Sequence, residues 1–521
     1  MDTKQLSAEN EQLKAQVEEL NNVIAQMQEK IDKLLSALYA PKSEKYKQPH
    51  IENFLTLPGL EINKKPEKAV TKETIEIPAH KRKKPGRKPI DENIPRVEVE
   101  HDIPEEEKLC PCGTHKKCMG QEVTEKLDVI PAQVRVIKNI RFKYACPKCE
   151  GTESEEGAVQ IAPMPPQMIN QSIATAGLLA FIIVSKFVDA LPLYRQEKQF
   201  QRYGVEISRA TMASWIKQVA KACECLVELF LQDIRSGSVA AMDETPIQVL
   251  KESGRKNTQK SYMWLIRGGP PENPILYFKY SCSRAAEVAK ELLGDFKGYL
   301  QTDGYSGYSI FERFKNITLV GCMAHIRRKF MEVFKSLKKI KRKSSIAETV
   351  LEHIKKLYKL EKYAQEQGYT YEQIQDLRQQ EAKPIMDEIK SILDEYEKKV
   401  PSRSTLGKAI TYALNQWDRM LVYLEDGRIK IDNNLVENSI RPLALGRKNW
   451  LFCGHPNGAI ASATLMSLIE TAKANGHEPY KFLRYLFEEL PYAQNEEDLR
   501  KLLPYNIDPQ DVPEPNMVPK T

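Results

Sequence analysis

Residues 4–40 carry an apolar pattern with a period of seven residues. One seam of the repeat contains Leu6, Leu13, Leu20, Met27 and Leu34, and the other contains Asn10, Val17, Ile24, Ile31 and Leu38. Leucine in one seam and β-branched residues in the other favour a parallel two-stranded coiled coil, and a buried Asn10 fixes its register. We predict that residues 1–40 form a leucine zipper that joins two copies of the chain. A single amphipathic helix packed on its own domain is the alternative.

Residues 168–232 have a helical apolar pattern throughout. Helices are predicted over 174–188, 189–200 and 209–220, and a short turn with Gly204 and Ser208 separates the last two. A glycine-containing turn before a serine-capped helix is typical of a helix-turn-helix. In that interpretation Arg209 and Lys217 face DNA. A plain helical hairpin is the alternative.

From residue 238 onward the pattern changes to short apolar runs. Strands are predicted over 239–250, 261–267, 275–280, 299–302 and 317–321, with helices over 284–296 and 324–334. This order is expected of a ribonuclease-H-like core, in which a mixed sheet carries helices on its faces. The following residues, about 335–425, are helical and highly charged, and we interpret them as an insertion. A further helix is predicted over 406–425 and another over 433–445.

Composition limits the class of protein. The chain has 521 residues, 41% of them hydrophobic, and a net charge of +7 that is spread unevenly. The charged N-terminus does not resemble a signal peptide, and the longest apolar run, 174–184, is too short to cross a bilayer. We therefore predict a cytoplasmic protein without membrane contact. Ten cysteines in a chain of this length do not form a disulfide scaffold.

Four cysteines occur as two closely spaced pairs. Cys110 and Cys112 precede an alternating segment, and Cys146 and Cys149 follow it. Two thiolate pairs on tight turns, separated by a hairpin, suit tetrahedral Zn²⁺ in a structural role. The first pair has one intervening residue instead of two, so His115 or Cys118 could replace one ligand, and free thiols are the alternative.

A basic stretch lies within the Pro- and Lys-rich residues 41–95. It contains Lys81, Arg82, Lys83 and Arg87, with Arg87 directly after Pro85-Gly86. An extended basic segment of this kind can lie in a minor groove, with arginine on its narrow floor. A solvated spacer that touches phosphates without sequence preference is the alternative, and both interpretations imply nucleic acid.

Together these patterns predict a multidomain α+β protein. The predicted divisions are a coiled coil at 1–40, a basic linker at 41–95, a zinc-finger-like domain at 96–160, a helical helix-turn-helix-like DNA-binding domain at 161–233, a ribonuclease-H-like core at 234–467, a C-terminal helical segment at 468–503 and a flexible tail at 504–521.

Three acidic residues are candidates for a divalent-metal site. Asp243 lies on the first strand of the core, Asp303 ends the fourth, and Glu437 lies in the helix predicted over 433–445. The first and fourth strands are neighbours in the proposed order, so the two aspartates can converge, and the helix can bring Glu437 over them. Shared carboxylates of this kind hold paired Mg²⁺ ions for phosphoryl transfer. Glu244 and Asp432 are rivals, although Glu244 should point to the opposite face and Asp432 should cap a turn.

Basic and aromatic residues surround these acids. Candidate DNA contacts are Arg327, Arg328, Lys329, Arg441, Arg447, Lys448 and Trp450. An arginine guanidinium can donate two parallel hydrogen bonds to phosphate oxygens, and a tryptophan can stack on an unpaired base. Arg441 lies one helical turn after Glu437, so a surface ion pair between them is the alternative. Cys322 and His325 can both face one metal or the site, and buried structural use is the alternative.

Four stretches, residues 243–246, 300–308, 322–330 and 434–452, resemble transposases of the insertion-sequence IS66 family. The resemblance extends over nearly the whole chain and implies a DDE transposase, with Asp243, Asp303 and Glu437 as its metal-binding triad. In such an enzyme, water activated by Mg²⁺ or Mn²⁺ nicks the end of the element, and the freed 3′-hydroxyl attacks target DNA. The chain departs from the family in the Cys110–Cys112 spacing and at Met323, where the family often has tryptophan.

The resemblance also implies partners. These are double-stranded DNA at the element ends and at the target, a second copy of the chain bound through the zipper, and accessory proteins of the same element. The protein would then be associated with the nucleoid. Two other functions stay open at this point. One is a non-enzymatic DNA-binding regulator with a decayed core, and the other is a structure-specific nuclease that cuts without joining.

Overall fold

The computed structural model describes residues 16–17, 27, 134–145, 159–161, 163–337 and 345–514. Contacts divide the chain into two units, one of residues 1–40 and 137–521 and the other of residues 41–136. Of the predicted zipper, only the helical positions Gln16, Val17 and Met27 are described. The remaining zipper positions and the predicted DNA and zinc ligands Lys81, Arg82, Lys83, Arg87, Cys110, Cys112, Cys146 and Cys149 lie outside the described residues, as do His115 and Cys118.

A two-stranded antiparallel sheet precedes the main body of the fold. Strand β1 (Lys143–Ala145) pairs with β2 (Val159–Ile161), with Lys143 opposite Ile161. The segment that joins the two strands contains the second predicted cysteine pair.

Four helices follow, and local capping explains their starts. They are α1 (Ala176–Phe187), α2 (Leu193–Arg202), α3 (Arg209–Ala222) and α4 (Glu224–Ser236). Ser208 Oγ accepts a hydrogen bond from Thr211 N at 3.1 Å, so the predicted serine cap of α3 is confirmed. Helix α2 begins later than the predicted residue 189 because Pro192 occupies its N-cap and Ala190 has a φ of +56°.

A five-stranded mixed sheet forms the centre of the fold. Its strands are β3 (Val239–Gln248), β4 (Lys260–Gly268), β5 (Ile275–Ser281), β6 (Gly298–Gln301) and β7 (Ile317–Val320), in the spatial order β5–β4–β3–β6–β7. β3, β4 and β5 are antiparallel, whereas β3, β6 and β7 are parallel. Helix α5 (Ala286–Leu293) and a 3₁₀ segment (Ser306–Arg313) flank β6. The predicted mixed sheet is confirmed, with small shifts at the strand ends.

A largely buried helix covers the β5 edge of this sheet. Helix α13 (Pro456–Ala474) packs on β5. Thr471 Oγ1 accepts from Leu276 N at 3.0 Å, and Ser467 Oγ accepts from Phe278 N at 2.8 Å. These hydroxyls satisfy backbone groups that an open edge strand would expose. We predicted a domain division between residues 467 and 468, but α13 continues through this position without a break. The helix face that packs on β5 extends on both sides of the predicted division.

The residues after β7 are helical and build a second hydrophobic core. Their elements are α6 (Met323–Ser336), α7 (Ile346–Glu366), α8 (Tyr371–Leu377), a π turn (Arg378–Ala382), α9 (Lys383–Glu397), α10 (Thr405–Asn415), α11 (Trp417–Leu421) and a 3₁₀ turn (Val422–Leu424). The single helix predicted over 406–425 is therefore wrong. It breaks at Gln416 (φ −102°, ψ 0°), and the break lets Trp417 and Met420 enter the second core.

The chain returns to the sheet through helix α12 (Asn434–Trp450), which packs on β3. The fold ends with α14 (Pro479–Glu489) and α15 (Glu496–Lys501). Among the described residues, no helix has the length and apolar character that a membrane span requires.

Candidate metal centre

Asp243 and Asp303 lie at the same level of two neighbouring parallel strands. Ala241 on β3 pairs with Gln301, the last residue of β6, and each aspartate follows its partner by two residues, so Asp243 lies within β3 whereas Asp303 lies just beyond the end of β6. Residues two apart point to the same face, and neighbouring strands are about 4.8 Å apart. The register therefore brings the two carboxylates side by side, as predicted from the strand order.

Glu437 reaches the same place from the first turn of α12. Asn433, at the N-cap of this helix, donates from its Nδ2 to the carbonyl oxygen of Met242 at 3.1 Å, and its own carbonyl accepts from Glu437 N at 3.1 Å. One side chain thus ties the residue before Asp243 to the start of the helix that carries Glu437. The charges of Asp303 and Glu437 both act on the Asp243 carboxyl, so the three predicted acids are neighbours. Among the described residues, however, the group whose possible ligand atoms all lie within 4.8 Å of one another joins Glu437 to Cys322 and His325 and includes neither aspartate.

The acids act electrostatically on one another. Burial is the largest cause that raises the pKa of Asp243 from 3.8 to about 7, and the negative charges of Glu244, Asp303 and Glu437 act in the same direction, against one hydrogen bond from Glu244 N. A cation beside a buried carboxylate that is crowded by other carboxylates favours its ionised form. This feature of the site therefore fits a divalent cation.

The donor set fits a hard cation. Asp243 Oδ1 accepts from Glu244 N at 2.8 Å, and Asp303 Oδ1 accepts from Tyr305 N at 3.0 Å. Within the described part of the chain, Oδ2 of each aspartate has no hydrogen bond. Carboxylate oxygens are the ligands that Mg²⁺ and Mn²⁺ prefer. Asp243, Asp303 and Glu437 are therefore the residues that could hold such an ion.

The pH dependence of metal binding follows from Asp243. Because the pKa of this carboxyl is about 7, protons compete with the cation below that pH. We expect Mg²⁺ affinity to fall by up to about tenfold for each pH unit below 7 and to level off above it. Calorimetric Mg²⁺ titrations at a series of pH values measure this. An affinity that stays constant from pH 6 to 8 would contradict it, and Asp295→Asn, an exposed aspartate on the surface, is the control.

Glu437 is held by two residues of α6. Arg328 Nη2 lies 3.1 Å from Glu437 Oε2, and His325 Nε2 lies 3.5 Å from Oε1. Burial and the charge of Arg328 lower the pKa of His325, so its ring is neutral near pH 7. The alternative ion pair between Glu437 and Arg441 is wrong, because Arg328 from the neighbouring helix occupies the carboxylate.

Cys322 has a structural contact. Its sulfur lies within 4.8 Å of one ligand atom of His325 and of one carboxylate oxygen of Glu437. These two atoms are also within 4.8 Å of each other. However, Cys322 Sγ accepts from Asn433 N at 3.2 Å, and burial raises the pKa of this thiol to about 11. This hydrogen bond gives Cys322 a structural role in holding the start of α12, and its place in the group with His325 and Glu437 leaves metal coordination a prediction as well.

The two rival acids have other partners. Glu244 is buried and forms an ion pair with Arg284 at 2.5 Å, and it accepts from Tyr308 Oη at 2.5 Å. Asp432 accepts from Tyr358 Oη at 2.6 Å and from Asn434 N at 3.0 Å. Glu244 is thus used in a buried ion pair, and Asp432 accepts a backbone N–H at the start of α12.

Most cations predicted to contact DNA are exposed on three helices. They are Arg209 and Lys217 on α3, Arg327, Arg328 and Lys329 on α6, and Arg441 and Lys448 on α12. Those on α6 and α12 lie on the two helices that meet at Glu437. The structure therefore places positive charge beside the candidate metal centre.

Two predicted DNA contacts are used inside the protein instead. Arg447 Nη1 donates to Thr245 Oγ1 at 3.0 Å and to the carbonyl of Pro246, which ties α12 to β3. Trp450 packs edge-on against Phe187 with ring centroids 6.2 Å apart, and Lys186 Nζ lies 4.3 Å from its centroid. Packing between α1, α12 and β3 therefore engages both side chains, and contact of Arg447 or Trp450 with DNA stays a prediction.

Asn433 is a site residue that the sequence analysis missed. Its Nδ2 must face the Met242 carbonyl, which can only accept, so its Oδ1 is the buried atom without a partner in the described structure. An asparagine at a helix start normally caps that helix, but this one makes no side-chain cap bond. Its position two residues after Ile431 and before an amphipathic helix gave only the capping signal.

Family models match most of the chain. One, described as Transposase IS66 family, matches residues 171–461. Another, described as the zinc-finger binding domain of transposase IS66, matches 107–150, and the IS66 C-terminal element matches 467–505. A fourth, described as Transposase C of IS166 homeodomain, matches 26–99. The main family model covers the helices α1–α4, the sheet and α12.

Curated proteins of Sinorhizobium fredii (strain NBRC 101917 / NGR234) are similar over most of their length. The uncharacterized protein y4jD is 34% identical over 80% of this chain and 81% of its own length. The uncharacterized protein y4qI is 32% identical over 81% of this chain and 78% of its own length. Both alignments are long enough to include the whole candidate site.

Proposed function

This chain belongs to the IS66 family of transposases, and on that premise we propose that it cuts the ends of a mobile DNA element and joins them to target DNA. The observation that carries the proposal is the convergence of Asp243, Asp303 and Glu437. Two come from adjacent parallel strands, and the third comes from a helix that Asn433 fixes to β3. A regulator that only binds DNA has no need for three neighbouring acids, of which Asp243 and Asp303 have no ion-pair partner among the described residues.

We interpret the sheet as a ribonuclease-H-like core. Three antiparallel strands are followed by two parallel ones, and the first strand lies at the centre of the order β5–β4–β3–β6–β7. Acidic residues on the central strand and on its parallel neighbour then meet at one level of the sheet. The helical segment between β7 and α12 is long enough to deliver Glu437 from the other side.

Residues of the chain would position the reacting groups. Asp243 and Asp303 bind from the sheet, and Glu437 binds from α12. The bound Mg²⁺ or Mn²⁺ would supply Lewis-acid activation of the attacking oxygen and stabilisation of the leaving oxygen. The Arg328 side chain is half-exposed beside Glu437, and its guanidinium would donate hydrogen bonds to a phosphate oxygen. His325 orients the Glu437 carboxylate from the other side.

The outer parts of the chain would bring DNA and a second copy to this site. We propose that the α3 cations and the basic linker hold the element end, that Zn²⁺ bound by the cysteine pairs supports the domain matched by the zinc-finger model, and that the N-terminal heptads pair two copies. A pair of copies would hold two element ends together. Nucleoid association and accessory proteins of the same element follow from the same proposal.

The experiment that tests this function uses pre-cleaved element ends. The full-length protein is incubated with labelled ends, a target plasmid and Mg²⁺, and joined products are resolved on a gel. We expect joining that requires both Mg²⁺ and a free 3′-hydroxyl. Cutting of uncleaved ends without any joining would identify a nuclease instead. Binding to the ends without cutting or joining would identify a regulator.

A further inference from the structure

We propose that Leu451 and Phe452, here called the apolar tip, insert into the DNA base stack near the cut site. The inference rests on the proposed function, because it assumes that DNA lies across α12. The tip follows directly on this helix and is exposed, with 65% of Leu451 and 46% of Phe452 accessible to solvent. Two adjacent large apolar side chains that face solvent require an explanation, because monomeric proteins seldom leave such pairs open.

The backbone holds the tip in a strained conformation. Leu451 has a φ of +66° and a ψ of −52°, and Phe452 N donates to the carbonyl of Trp450 at 2.8 Å. This geometry is the classic γ-turn, which is rare and strained for a residue other than glycine. Strain of this kind persists where surrounding structure enforces it, and it is common at functional sites.

The tip is anchored on the strand that carries Asp243. Cys453 N donates to the carbonyl of Gln248 at 2.9 Å, and Leu250 N donates to the carbonyl of Cys453 at 2.9 Å. These two bonds extend β3 by a parallel bridge. The tip is therefore a rigid projection with a fixed position relative to the candidate metal centre, and it does not need to fold on binding.

Charge on the same face of α12 identifies the partner. At 100° per residue, Arg441, Leu445 and Lys448 lie within about 80° of Glu437 around the helix axis. Arg441 and Lys448 are exposed and, in the part of the chain that the structure describes, form no ion pair. Cations that flank an apolar projection match a DNA duplex. The phosphates would contact the cations, and the apolar tip would insert between two neighbouring base pairs. A second copy of the chain would bring the same positive charges together.

The distance from the metal centre sets where insertion occurs. Fourteen residues of helix separate Glu437 from Leu451, which corresponds to about 21 Å along the axis at 1.5 Å per residue. At 3.4 Å per step along one strand, this is about six nucleotides. We therefore expect the unstacked step to lie within roughly one helical turn of the cleaved phosphodiester.

The test uses 2-aminopurine, whose fluorescence rises on unstacking, at successive positions near the end of the element. The wild-type protein is expected to raise the fluorescence at one or two adjacent positions. Leu451→Ala/Phe452→Ala should lose most of this rise and cut a matched duplex roughly tenfold more slowly. A mismatch at the same step should restore its rate, because the cost of unstacking is then already met.

Controls separate insertion from folding and from other partners. Leu451→Gly removes the side chain and relaxes the positive φ, so it should fold at least as well as wild type and still lose the signal. Ile173→Ala changes an even more exposed apolar residue far from α12 in sequence and should change nothing. Unchanged fluorescence in Leu451→Ala/Phe452→Ala would overturn the proposal. Loss of self-association in that variant would assign the tip to a second copy instead. If wild type joins no ends, the proposed function fails separately.

Discussion

Asp243→Asn is expected to abolish cleavage of element ends while binding to those ends survives. Asparagine keeps the size of the side chain but removes the negative charge that a divalent cation needs, and Asp303 and Glu437 are charged neighbours of Asp243. Supercoiled-plasmid nicking in Mg²⁺ measures cleavage, and a gel mobility shift with labelled ends measures binding. If the proposed function holds, loss of a metal ligand should lower the cleavage rate by several orders of magnitude.

The same substitution should make the metal-free protein more stable. The pKa of Asp243 is about 7 when folded and 3.8 ordinarily, so the folded state loses stability as pH rises between these values. Asparagine does not ionise and avoids this loss, which amounts to at most about 4 kcal/mol at pH 8. In EDTA, Asp243→Asn should therefore melt at a higher temperature at pH 8 than wild type, and the difference should shrink at pH 5.

Two results would contradict these expectations. Cutting by Asp243→Asn in Mg²⁺ would remove Asp243 from the metal site. A lower melting temperature at pH 8 would mean that the carboxylate stabilises the fold without metal. Asp295→Asn is the matched control because that aspartate is exposed, and it should leave both nicking and melting unchanged.

Arg378→Ala is expected to be the most destabilising single substitution in the helical segment. Arg378 is 2% exposed, and its guanidinium donates to both oxygens of Glu361 and to the carbonyls of Tyr423, Asp426 and Ile429 at 2.7–2.9 Å. Removing it leaves the Glu361 carboxylate and the buried carbonyls of Tyr423 and Ile429 without this donor, whereas the Asp426 carbonyl keeps a hydrogen bond from Ile429 N. Breaking one buried ion pair alone typically costs about 3–5 kcal/mol.

We expect Arg378→Ala to lower the rate of DNA cleavage as well as the stability of the fold. The three carbonyls belong to the connection that leads into Lys430, whose carbonyl accepts from Gln301 Nε2 at 2.8 Å, and then into Asn433. Loosening this connection frees the start of α12 and hence Glu437. Thermal melting measures the loss of stability, and plasmid nicking at a temperature where the variant is still folded measures the loss of activity.

Two substitutions calibrate the result for Arg378. Arg403→Ala removes an exposed arginine of the same helical segment and should leave the melting temperature unchanged. Arg378→Lys keeps the charge but cannot reach five acceptors at once, so it should fall between wild type and Arg378→Ala. A melting temperature for Arg378→Ala close to that of wild type would show that the connection does not depend on this side chain.

The local pattern identified most of the elements but not all of their limits. Short apolar runs located the five strands, and Ser208 marked the start of α3, because both signals act over a few neighbouring residues. The break at Gln416 carried no such signal. It follows from burial of Trp417 and Met420 in a core that the rest of the insertion builds.

The candidate site shows the same division between local and distant information. The sequence by itself determined which acids could hold a metal, since Asp243 and Asp303 follow apolar strands and Glu437 opens a helix. Only the tertiary structure decided what the neighbouring side chains do. In the sequence, Arg447 and Trp450 are candidate DNA contacts just as Arg441 and Lys448 are. In the folded protein, however, Arg447 holds α12 against β3, and Trp450 holds it against α1.

The physical reason is the range of the interactions. Helix and strand preferences, caps and turns depend on residues a few positions apart, so the chain's order of elements can be inferred from its sequence. The role of Asn433 depends on Met242, 191 positions earlier, and the contact of Arg328 with Glu437 spans 109 positions. Which polar groups pair across such separations is decided by how the sheet and helices pack, and no local pattern contains that information.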